Sequence, residues 1–582
     1  MTALARPWAW RQVAPLMTWT PRLIASCAIA AAITASCRHV PGNEPSMTDR
    51  NQTVVYVAGK IRTLDPDRPE AEALAVAGGR VLAVGSRGDV SQAAGGSARV
   101  VELPGGAVVV PGLADAHAHL ANLGRTLTIA NLKGTKSVEE IVERLRAAGP
   151  ASRQGDWLVG RGWDQTGWAE GKRVFPDRAV LDAAFPDVPV FLTRVDGHAA
   201  WVNGEALRRA GVGRATKDPE GGRILRRRDG ESTGVLVDNA MDLVEAKLPA
   251  PTGEQLEQRM ISALKKCAAV GLTSIHDAGM DLRNFELLQR WDTVGLLPLR
   301  VYAMADGQGA DRQTFVERGT FKGRMLEMRS VKFWLDGALG SRGAALHAPY
   351  TDEPSNTGLL LLTPDELESR ALAFMAAGFQ VNVHAIGDRA NTLALDVIER
   401  ASAATGARDR RHRLEHAQVM RLEDISRLSK LGVIASMQPT HATSDMRWAE
   451  ARVGAERIRG AYAWRRILDS GAVLAFGSDF PVEEPDPLLG LYAARTRQDA
   501  SGNPAQGWYP GERVSGEEAL RAFTVGAAYA SFAESERGML KPAFDADFVV
   551  LSVDAVTAPP AELLDGKILL NVVGGAIVHD GR

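Results

Sequence analysis

Six side chains of types that bind metal ions or transfer protons stand at or near the ends of short apolar segments. The first two, His117 and His119, close the segment PGLADAHAH. Residues two apart in an extended chain face the same side, so both imidazoles can bind one metal ion. The other four are Lys332, His384, His416 and Asp479. Imidazole and carboxylate groups are ligands for divalent transition metals, which makes this set a candidate metal site.

The elements that must position these groups are eight short apolar segments with helical stretches between most of them. Such an alternation predicts an α/β fold, a (β/α)8 TIM-type barrel, in which catalytic groups stand at the carboxyl ends of the strands. The six side chains are therefore expected at one common mouth. The predicted strands are residues 108–114, 271–276, 298–304, 330–335, 378–384, 412–416, 433–438 and 473–478.

The spacing of the segments predicts further domains. The first and second predicted strands are separated by roughly 150 residues, far more than an ordinary βα connection, so we expect a subdomain inserted at about residues 124–252. Both chain ends, residues 53–110 and 541–582, are rich in β-branched runs broken by glycine and proline. These ends are predicted to form one small β-domain beside a barrel of residues 111–540.

The composition places the chain among soluble globular proteins and excludes several other classes. Hydrophobic residues make up 45% and charged residues 24% of the 582 residues, which excludes a disordered chain, a collagen-like repeat and a multi-span membrane protein. The 68 basic and 70 acidic residues give a net charge of −2. No overall basic field is available to attract nucleic acid, so no nucleic-acid partner is expected.

The N-terminus has the features of an export signal. The apolar run at residues 23–36, about 14 residues long, is too short to span a bilayer but suits a signal-peptide core. Cys37 follows the small residues Ala35 and Ser36, which resembles a bacterial lipoprotein signal, although Thr34 stands where leucine is usual. Residues 1–37 are thus predicted as the signal and 38–52 as a tether, giving a membrane-anchored lipoprotein that faces the periplasm or cell exterior. Translation from Met47 would instead give a cytoplasmic protein.

Several motifs resemble a known enzyme family. PGLADAHAHL, the single lysine, the two later histidines and GSDFP are similar to the amidohydrolase superfamily. GRGWDQTGW, GLTSIHDAG, VKFWLDGALGSRGAAL, VNVHAIGDRAN and HRLEHAQ resemble its amidohydrolase-3 branch, which includes N-substituted formamide deformylase. The resemblance extends from about residue 54 to the C-terminus. It implies the same barrel together with a β-sandwich domain formed by both chain ends.

The resemblance also implies roles for the six residues. His117 and His119 would bind the more buried metal ion, a carboxylated Lys332 would bridge two ions, and His384 and His416 would bind the second. Asp479 would contact both metal and water. Two zinc ions are expected, with iron or manganese also suited to these ligands. Because a protonated lysine cannot bind a metal, the alternative is a neutral or ion-paired Lys332 beside a single ion.

Four further residues are expected to contact the substrate. In the family, the phrases that contain His198, His276, Arg342 and His441 line the substrate cavity. The alternative for His276 is a structural pair with Asp277 that braces the barrel rim.

The function implied is hydrolysis of carbon–nitrogen bonds other than peptide bonds, in small amides or N-substituted formamides. Metal-bound hydroxide would attack the carbonyl, and Asp479 would accept its proton and pass it to the leaving nitrogen. The partner is thus a small amide-type substrate, and a homodimer is left open. One alternative is a deaminase or cyclic-amide hydrolase, although the bridging lysine argues against the deaminases. The other alternative is a tethered binding protein without turnover, against which the complete ligand set argues.

Overall fold

Strands from both ends of the chain form one sheet, in a computed structural model that describes residues 52–169, 174–406 and 409–582. Tyr56 and Phe548, from opposite ends of the chain, pack edge to face in its core with ring centroids 4.9 Å apart. One helix, α1 (Arg87–Ala94), covers part of this sheet. The strands are β1 (Val54–Arg62), β2 (Glu70–Ala77), β3 (Arg80–Gly85), β4 (Arg99–Glu102), β5 (Val108–Pro111), β22 (Phe548–Leu551), β23 (Ile568–Val573) and β24 (Ala576–Asp580).

Eight parallel strands form the barrel, which confirms the predicted fold class. In spatial order they are β6 (Leu113–Ala118), β14 (Leu272–Met280), β15 (Arg300–Asp306), β17 (Leu326–Trp334), β18 (Gln380–Ala385), β19 (Arg413–His416), β20 (Ile434–Met437) and β21 (Leu474–Phe476). The segment after β21 returns to β6, because Asp479 N donates to His117 O at 2.8 Å and His119 N donates to Phe480 O at 2.9 Å. The barrel is thus nearly closed at the level of the candidate site. The short strand β16 (Phe321–Lys322) pairs with β17 outside this order.

The prediction of the first barrel strand at residues 108–114 is wrong. Val108–Pro111 is β5 of the end sheet, where it pairs with β22 and β1. The chain passes to the barrel at Gly112, where a Cβ atom would overlap Thr273 Oγ1. Only glycine allows the side chain of Thr273 to approach this backbone so closely, and the barrel strand begins one residue later.

A subdomain with its own seven-stranded sheet lies between β6 and β14. Buried Trp163 and Trp201 pack edge to face in its core, and helix α2 (Leu120–Thr126) precedes it. Its strands are β7 (Ala130–Asn131), β8 (Arg153–Gln154), β9 (Trp157–Trp163), β10 (Val190–Arg194), β11 (Ala199–Val202), β12 (Gly222–Arg226) and β13 (Ser232–Asp238), and its helices are α3 (Val138–Ala148), α4 (Ala179–Ala184), α5 (Gly204–Ala210) and α6 (Asp242–Glu245).

The remaining helices follow the barrel strands. Three of them begin with a capping box, Thr252 with Gln255, Thr363 with Glu366 and Ser515 with Glu518, in which each side chain bonds to the backbone of the other residue. The helices are α7 (Gly253–Ala269), α8 (Leu282–Val294), α9 (Arg312–Arg318), α10 (Pro364–Ala376), α11 (Asp388–Thr405), α12 (Leu422–Leu431), α13 (Pro439–Asp445), α14 (Ala449–Arg457), α15 (Trp464–Asp469), α16 (Pro487–Thr496), α17 (Gly516–Arg521) and α18 (Ala527–Ala530), with a π-helical turn at Ala522–Gly526. Short 3-10 turns occur at Gly149–Ser152, Gln165–Gly167, Ile458–Gly460, Pro510–Glu512 and Pro560–Asp565.

The interior of the barrel is polar beneath the mouth. Along β17, buried Val331 and Phe333 alternate with buried Lys332, so that the apolar side chains pack towards the helices and the lysine faces inward. The guanidinium of Arg413 crosses this interior, where it donates to the carbonyl of Ala116 and, at 2.8 Å, to Ser436 Oγ. Buried charges of this kind need partners, and the interior supplies them.

The predicted signal peptide and residues 38–51 of the predicted tether lie outside the described residues. Among the helices that the structure does describe, none combines the length and the apolar character needed to cross a membrane. The cysteine at position 267 is buried and free.

Candidate metal and substrate site

The structure brings the six predicted residues together at the carboxyl end of the barrel. Lys332 Nζ lies 3.1 Å from His117 Nε2, and His119 Nε2 lies 3.1 Å from Asp479 Oδ1. The ring of His416 lies 4.6 Å from that of His117 and 4.6 Å from that of His384, measured between centroids. These residues come from β6, β17, β18, β19 and the segment after β21.

Two groups of side chains at this mouth have a geometry that could hold a metal ion. One consists of His117, His119 and Asp479, and the other of His416, His441 and Asp479. Within each group the ligand atoms lie within 4.8 Å of one another. Asp479 belongs to both groups, so its two carboxylate oxygens can serve neighbouring ions. His441 was expected only as a substrate contact, and its place in the second group makes it a candidate ligand.

His384 stands slightly apart from these groups. Its Nε2 atom is buried without a hydrogen-bond partner and lies 3.5 Å from Asp336 Oδ1. Asp336 itself is occupied, because it accepts hydrogen bonds from the backbone amides of Ala345, Ile386 and Gly387. The Nε2 atoms of His384 and His441 are both buried without hydrogen-bond partners, which suits nitrogens that bind a metal ion. The donor set therefore fits a divalent metal.

Side chains behind the candidate ligands fix their orientation. Glu415 Oε2 lies 2.5 Å from His117 Nδ1, and Gln438 Oε1 lies 2.9 Å from His416 Nδ1. In both pairs the Nδ1 atom is engaged, which leaves Nε2 to face the mouth. The sequence analysis missed Glu415 and Gln438, although a charged residue inside the buried segment RLEH was a signal that could have been used.

Burial sets the protonation of the site. Burial is the main cause that lowers the pKa values of His117, His384 and His416 well below the usual histidine value, so these rings are neutral, the form that binds metal. Burial also lowers the pKa of Lys332 to about 8. For Asp479, burial raises the pKa, but the hydrogen bond with His119 and the electrostatic interactions with His117, His119 and His441 together outweigh it, and the pKa lies well below the usual range. The lysine can thus become neutral near physiological pH while the aspartate stays ionised.

A cavity of about 260 Å³ opens directly above these residues. Its floor is the barrel mouth, including His384, His416 and Asp479, and its roof belongs to the inserted subdomain, including Arg194 and His198. The subdomain therefore covers the mouth and shapes the space available to a small molecule, as is usual for substrate sites.

Of the four predicted substrate contacts, His198 and His441 line the cavity. The Nδ1 atom of His198 lies 2.7 Å from Asp238 Oδ1. Burial lowers the pKa of His198, but the hydrogen bond with Asp238 and the negative charges of Asp238, Asp196 and Asp336 together outweigh it, and the pKa is raised.

The other two predicted contacts, His276 and Arg342, are not among the residues that line this cavity. His276 lies in the middle of β14, where its Nδ1 atom is 3.2 Å from a guanidinium nitrogen of Arg413. It does not make the alternative pair with Asp277, whose Oδ1 accepts from the backbone of Leu120 instead. Arg342 forms ion pairs with Asp352 and Glu353 outside the cavity.

Comparisons with known proteins agree with this geometry. A model of the amidohydrolase family, the Amidohydro_3 group, matches residues 100–579. The chain is 34% identical over 530 residues to the protein LONG AFTER FAR-RED 3 of Arabidopsis thaliana, covering 89% of this chain and 90% of that one. It is 32% identical over 537 residues to the putative amidohydrolase YtcJ of Bacillus subtilis, covering 90% and 99%.

A more distant relative is the N-substituted formamide deformylase of Arthrobacter pascens, 27% identical over 544 residues, with 90% of this chain and 98% of that protein covered. Among solved structures, an uncharacterized metal-dependent hydrolase from Pyrococcus horikoshii superposes with a TM-score of 0.70 at 28% identity, covering 88% of this chain and 99% of that one. Together, the family and these relatives show that the chain is a hydrolase. The chain belongs to the amidohydrolase family, as its motifs had indicated.

Proposed function

We propose that this amidohydrolase hydrolyses carbon–nitrogen bonds in small amides, with N-substituted formamides as the first class to test. The observation that carries the proposal is the convergence of His117, His119, Lys332, His416 and Asp479 under a cavity of small-molecule size. The relative from Arthrobacter pascens, an N-substituted formamide deformylase, supports the choice of substrate class.

In the proposed reaction, a metal ion at the candidate ligands and the carboxylate of Asp479 have different roles. A divalent metal ion at these ligands would polarise the substrate carbonyl and make water acidic enough to react at neutral pH. Asp479, ionised and buried, accepts a proton from the attacking water at its carboxylate. It then donates this proton to the leaving nitrogen, which departs as a neutral amine.

We further propose that Lys332 is carboxylated and that two ions are bound, with zinc as the first metal to test. Burial lowers the pKa of Lys332 to about 8, so a substantial share of the amine is neutral near physiological pH. The neutral Nζ can attack carbon dioxide; a nitrogen–carbon bond forms, one proton is released, and the product carries a carboxylate that can bind metal. With Lys332 carboxylated, His117, His119 and Asp479 would hold one ion, and His384 and His416 would hold the second, with His441 as a further candidate ligand.

Metal content measured by plasma mass spectrometry tests this assignment. Protein purified with bicarbonate is compared with the Lys332→Ala variant and with Lys322→Ala, an exposed lysine on β16. We expect about two ions per chain in the wild type and in Lys322→Ala, and fewer in Lys332→Ala. One ion per chain, unchanged in Lys332→Ala, would sink the two-metal assignment and favour deaminase-type substrates.

A substrate panel tests the reaction itself. 4-Nitroformanilide and 4-nitroacetanilide report amide hydrolysis by release of 4-nitroaniline, hydantoin reports ring opening, and cytosine reports deamination by ammonia release. We expect release of formate and amine from the formanilide, and a loss of about 10²–10⁴-fold in the Asp479→Asn variant. Ammonia from cytosine without formate release would identify a deaminase. Ligand binding without any turnover, equal in wild type and Asp479→Asn, would identify a binding protein.

From the sequence we also propose export and lipidation at Cys37. The basis is the apolar run at residues 23–36, which ends in the small residues Ala35 and Ser36 directly before Cys37. In a bacterial host, we expect radiolabelled palmitate to enter the wild type and not the Cys37→Ser variant. Cys27, within the apolar run, is the other candidate for lipidation. Labelling that persists in Cys37→Ser and disappears in Cys27→Ser would assign lipidation to Cys27. An unlabelled protein found in the cytoplasm would support a start at Met47. Association into a homodimer is tested by sedimentation of the same samples.

A further inference from the structure

The inserted subdomain contributes a hydrogen-bonded histidine–aspartate pair to the barrel mouth. His198 stands between β10 and β11, and Asp238 is the last residue of β13. His198 Nδ1 lies 2.7 Å from Asp238 Oδ1, and the backbone amide of Asp238 donates to the carbonyl of His198 at 3.0 Å. His198 lines the cavity, whereas the side chain of Asp238 is 1% exposed and lies behind it.

The barrel fixes the position of this carboxylate. Gly337 and Gly343, in the loop after β17, face Asp238 so closely that a Cβ atom on either would lie 2.6 or 2.5 Å from Asp238 Oδ2. Asp238 also has a φ of 50°, a left-handed conformation that non-glycine residues adopt only when their surroundings hold them there. Gly337 and Gly343 of the barrel therefore pack directly against the carboxylate of Asp238, a subdomain residue with a strained backbone.

The pair is directed at the candidate reaction centre. The ring of His198 lies 5.2 Å from the ring of His384, measured between centroids. A carboxylate only accepts hydrogen bonds, so the proton shared with Asp238 belongs to His198 Nδ1. The nitrogen left for a molecule in the cavity is Nε2, on the opposite side of the ring.

We propose that Asp238 is a positioning residue, which holds the proton on Nδ1 of His198 and thereby presents Nε2 to the amide group of the substrate beside His384. The close packing of Gly337 and Gly343 against Asp238 fixes the position of its carboxylate relative to the barrel. The inference rests on the proposed amide hydrolysis for its substrate, but the pair itself is measurable without turnover.

The first test is proton NMR of the full, metal-loaded protein. A hydrogen bond from imidazole Nδ1 to a carboxylate gives a resonance far downfield, and we expect one that is present in wild type but lost in both His198→Gln and Asp238→Asn. The control variant Asp177→Asn, which breaks an ion pair of the subdomain with Arg227, should retain it. The probe acetohydroxamate, which carries an amide-like carbonyl and N–H, should shift this resonance. The similar resonance expected from the His117–Glu415 pair should be present in both variants. The inference is overturned if no resonance is lost in both His198→Gln and Asp238→Asn, or if the one that is lost does not move in the wild type at saturating acetohydroxamate.

The second test is a double-mutant cycle on the amide of the panel that is hydrolysed fastest. Asp238→Asn should lower kcat/KM about tenfold when His198 is present and less than about twofold in the His198→Gln background. A residue that only stabilises the fold would give equal factors in both backgrounds, and that result overturns the assignment. Gly343→Ala should resemble Asp238→Asn, whereas Gly88→Ala, with open space around its Cβ, should resemble wild type. A panel without hydrolysis refutes the proposed function, and the NMR result then decides this inference alone.

Discussion

His117 shows how one buried residue links the candidate metal site to the barrel interior. Its Nε2 atom faces Lys332, and its Nδ1 atom is held by Glu415. Glu415 in turn pairs with Arg413, with 2.7 Å between Arg413 Nε and Glu415 Oε1, and both side chains are fully buried. Partners of this kind fix the orientation of a ligand and raise its basicity.

Replacement of Glu415 should therefore weaken metal binding without removing a ligand. In Glu415→Gln the neutral amide holds His117 less strongly, and we expect zinc affinity to fall about 10–100-fold. Competition with a chromogenic chelator measures this affinity on protein that circular dichroism shows to be folded. The surface variant Glu423→Gln is the control. Equal affinities in the two variants would contradict the role given to Glu415.

His412 predicts a pH dependence of stability away from the metal site. Burial is the main cause that lowers its pKa to about 3, and its Nδ1 atom accepts from the backbone amide of Val381 at 3.0 Å, which requires an unprotonated nitrogen. The unfolded chain gains a proton at about pH 6.5. The contribution of His412 to folding is therefore complete above that pH and is lost as the pH falls from about 6.5 towards 3.

The expected slope is about 1.4 kcal/mol per pH unit in that window. The matched variant is His412→Asn, whose side-chain oxygen can accept the same hydrogen bond without titrating. We expect the stability of the wild type relative to His412→Asn to fall by about 2 kcal/mol between pH 6.5 and pH 5. Urea unfolding of both proteins across this range measures the difference. A constant difference would show that the ring stays solvated in the folded state.

Residue types and strand order together predicted which side chains meet at the mouth, but not how each faces. The sequence placed the end of the second barrel strand at His276, whereas β14 continues to Met280. His276 consequently lies below the mouth and contacts Arg413. Arg342 was predicted to contact the substrate because its neighbours in sequence resemble a family motif. Its side chain instead pairs with Asp352 and Glu353, which lie in a loop further along the chain. Side-chain pairing between separate segments has no local sequence signal.

At the scale of elements, helices α2 and α7 pack in contact through a glycine. A Cβ atom on Gly124 would overlap the backbone carbonyl of Arg259. Gly124→Ala should therefore separate the helices and lower the free energy of unfolding by about 2–3 kcal/mol. The control is Gly213→Ala, where a Cβ would meet open space. Thermal unfolding compares the two variants, and equal midpoints would show that the helices shift without cost.

Element type was more predictable than element boundary. Alternation of apolar segments and helical stretches was enough to predict seven of the eight barrel strands, because the hydrophobic pattern sets strand identity. The pattern could not separate Val108–Pro111 from the barrel, since one apolar run serves the end sheet and the next serves β6. The division depends on the close contact between Gly112 and Thr273, a residue far along the chain.

At the scale of the whole molecule, a buried ion pair joins the barrel to the end sheet. Arg300 of β15 bonds to both oxygens of Asp547, at 2.6 and 3.1 Å, and to Asp545 at 3.1 Å. Arg300→Met removes the guanidinium that pairs with the buried carboxylate of Asp547, and we expect a loss of about 3–5 kcal/mol. The double variant Arg300→Met with Asp547→Leu should recover part of this loss. Arg318→Met, which breaks an exposed pair, should cost about 0–1 kcal/mol.

The insertion was predictable as a length of chain but not as part of the site. A gap too long for one connection indicated a subdomain, and a single family motif indicated His198. Asp238 is forty residues further along the chain, and only the folded subdomain brings it to His198. The contribution of the insertion to the site therefore follows only from the folded structure, in which the subdomain covers the barrel mouth.

The order in which the chain is synthesised has a consequence for the sheet made from both ends. Strands β1 to β5 leave the ribosome first, but β5 pairs with β22, which follows more than four hundred residues later. Until then, the edge of β5 exposes unpaired backbone groups, which are a template for pairing with other chains. The edge of β5 in the nascent protein thus stays unpaired during most of translation. We expect the yield of folded protein in a cell to depend on how well Val108–Pro111 is protected from pairing with other chains during that time.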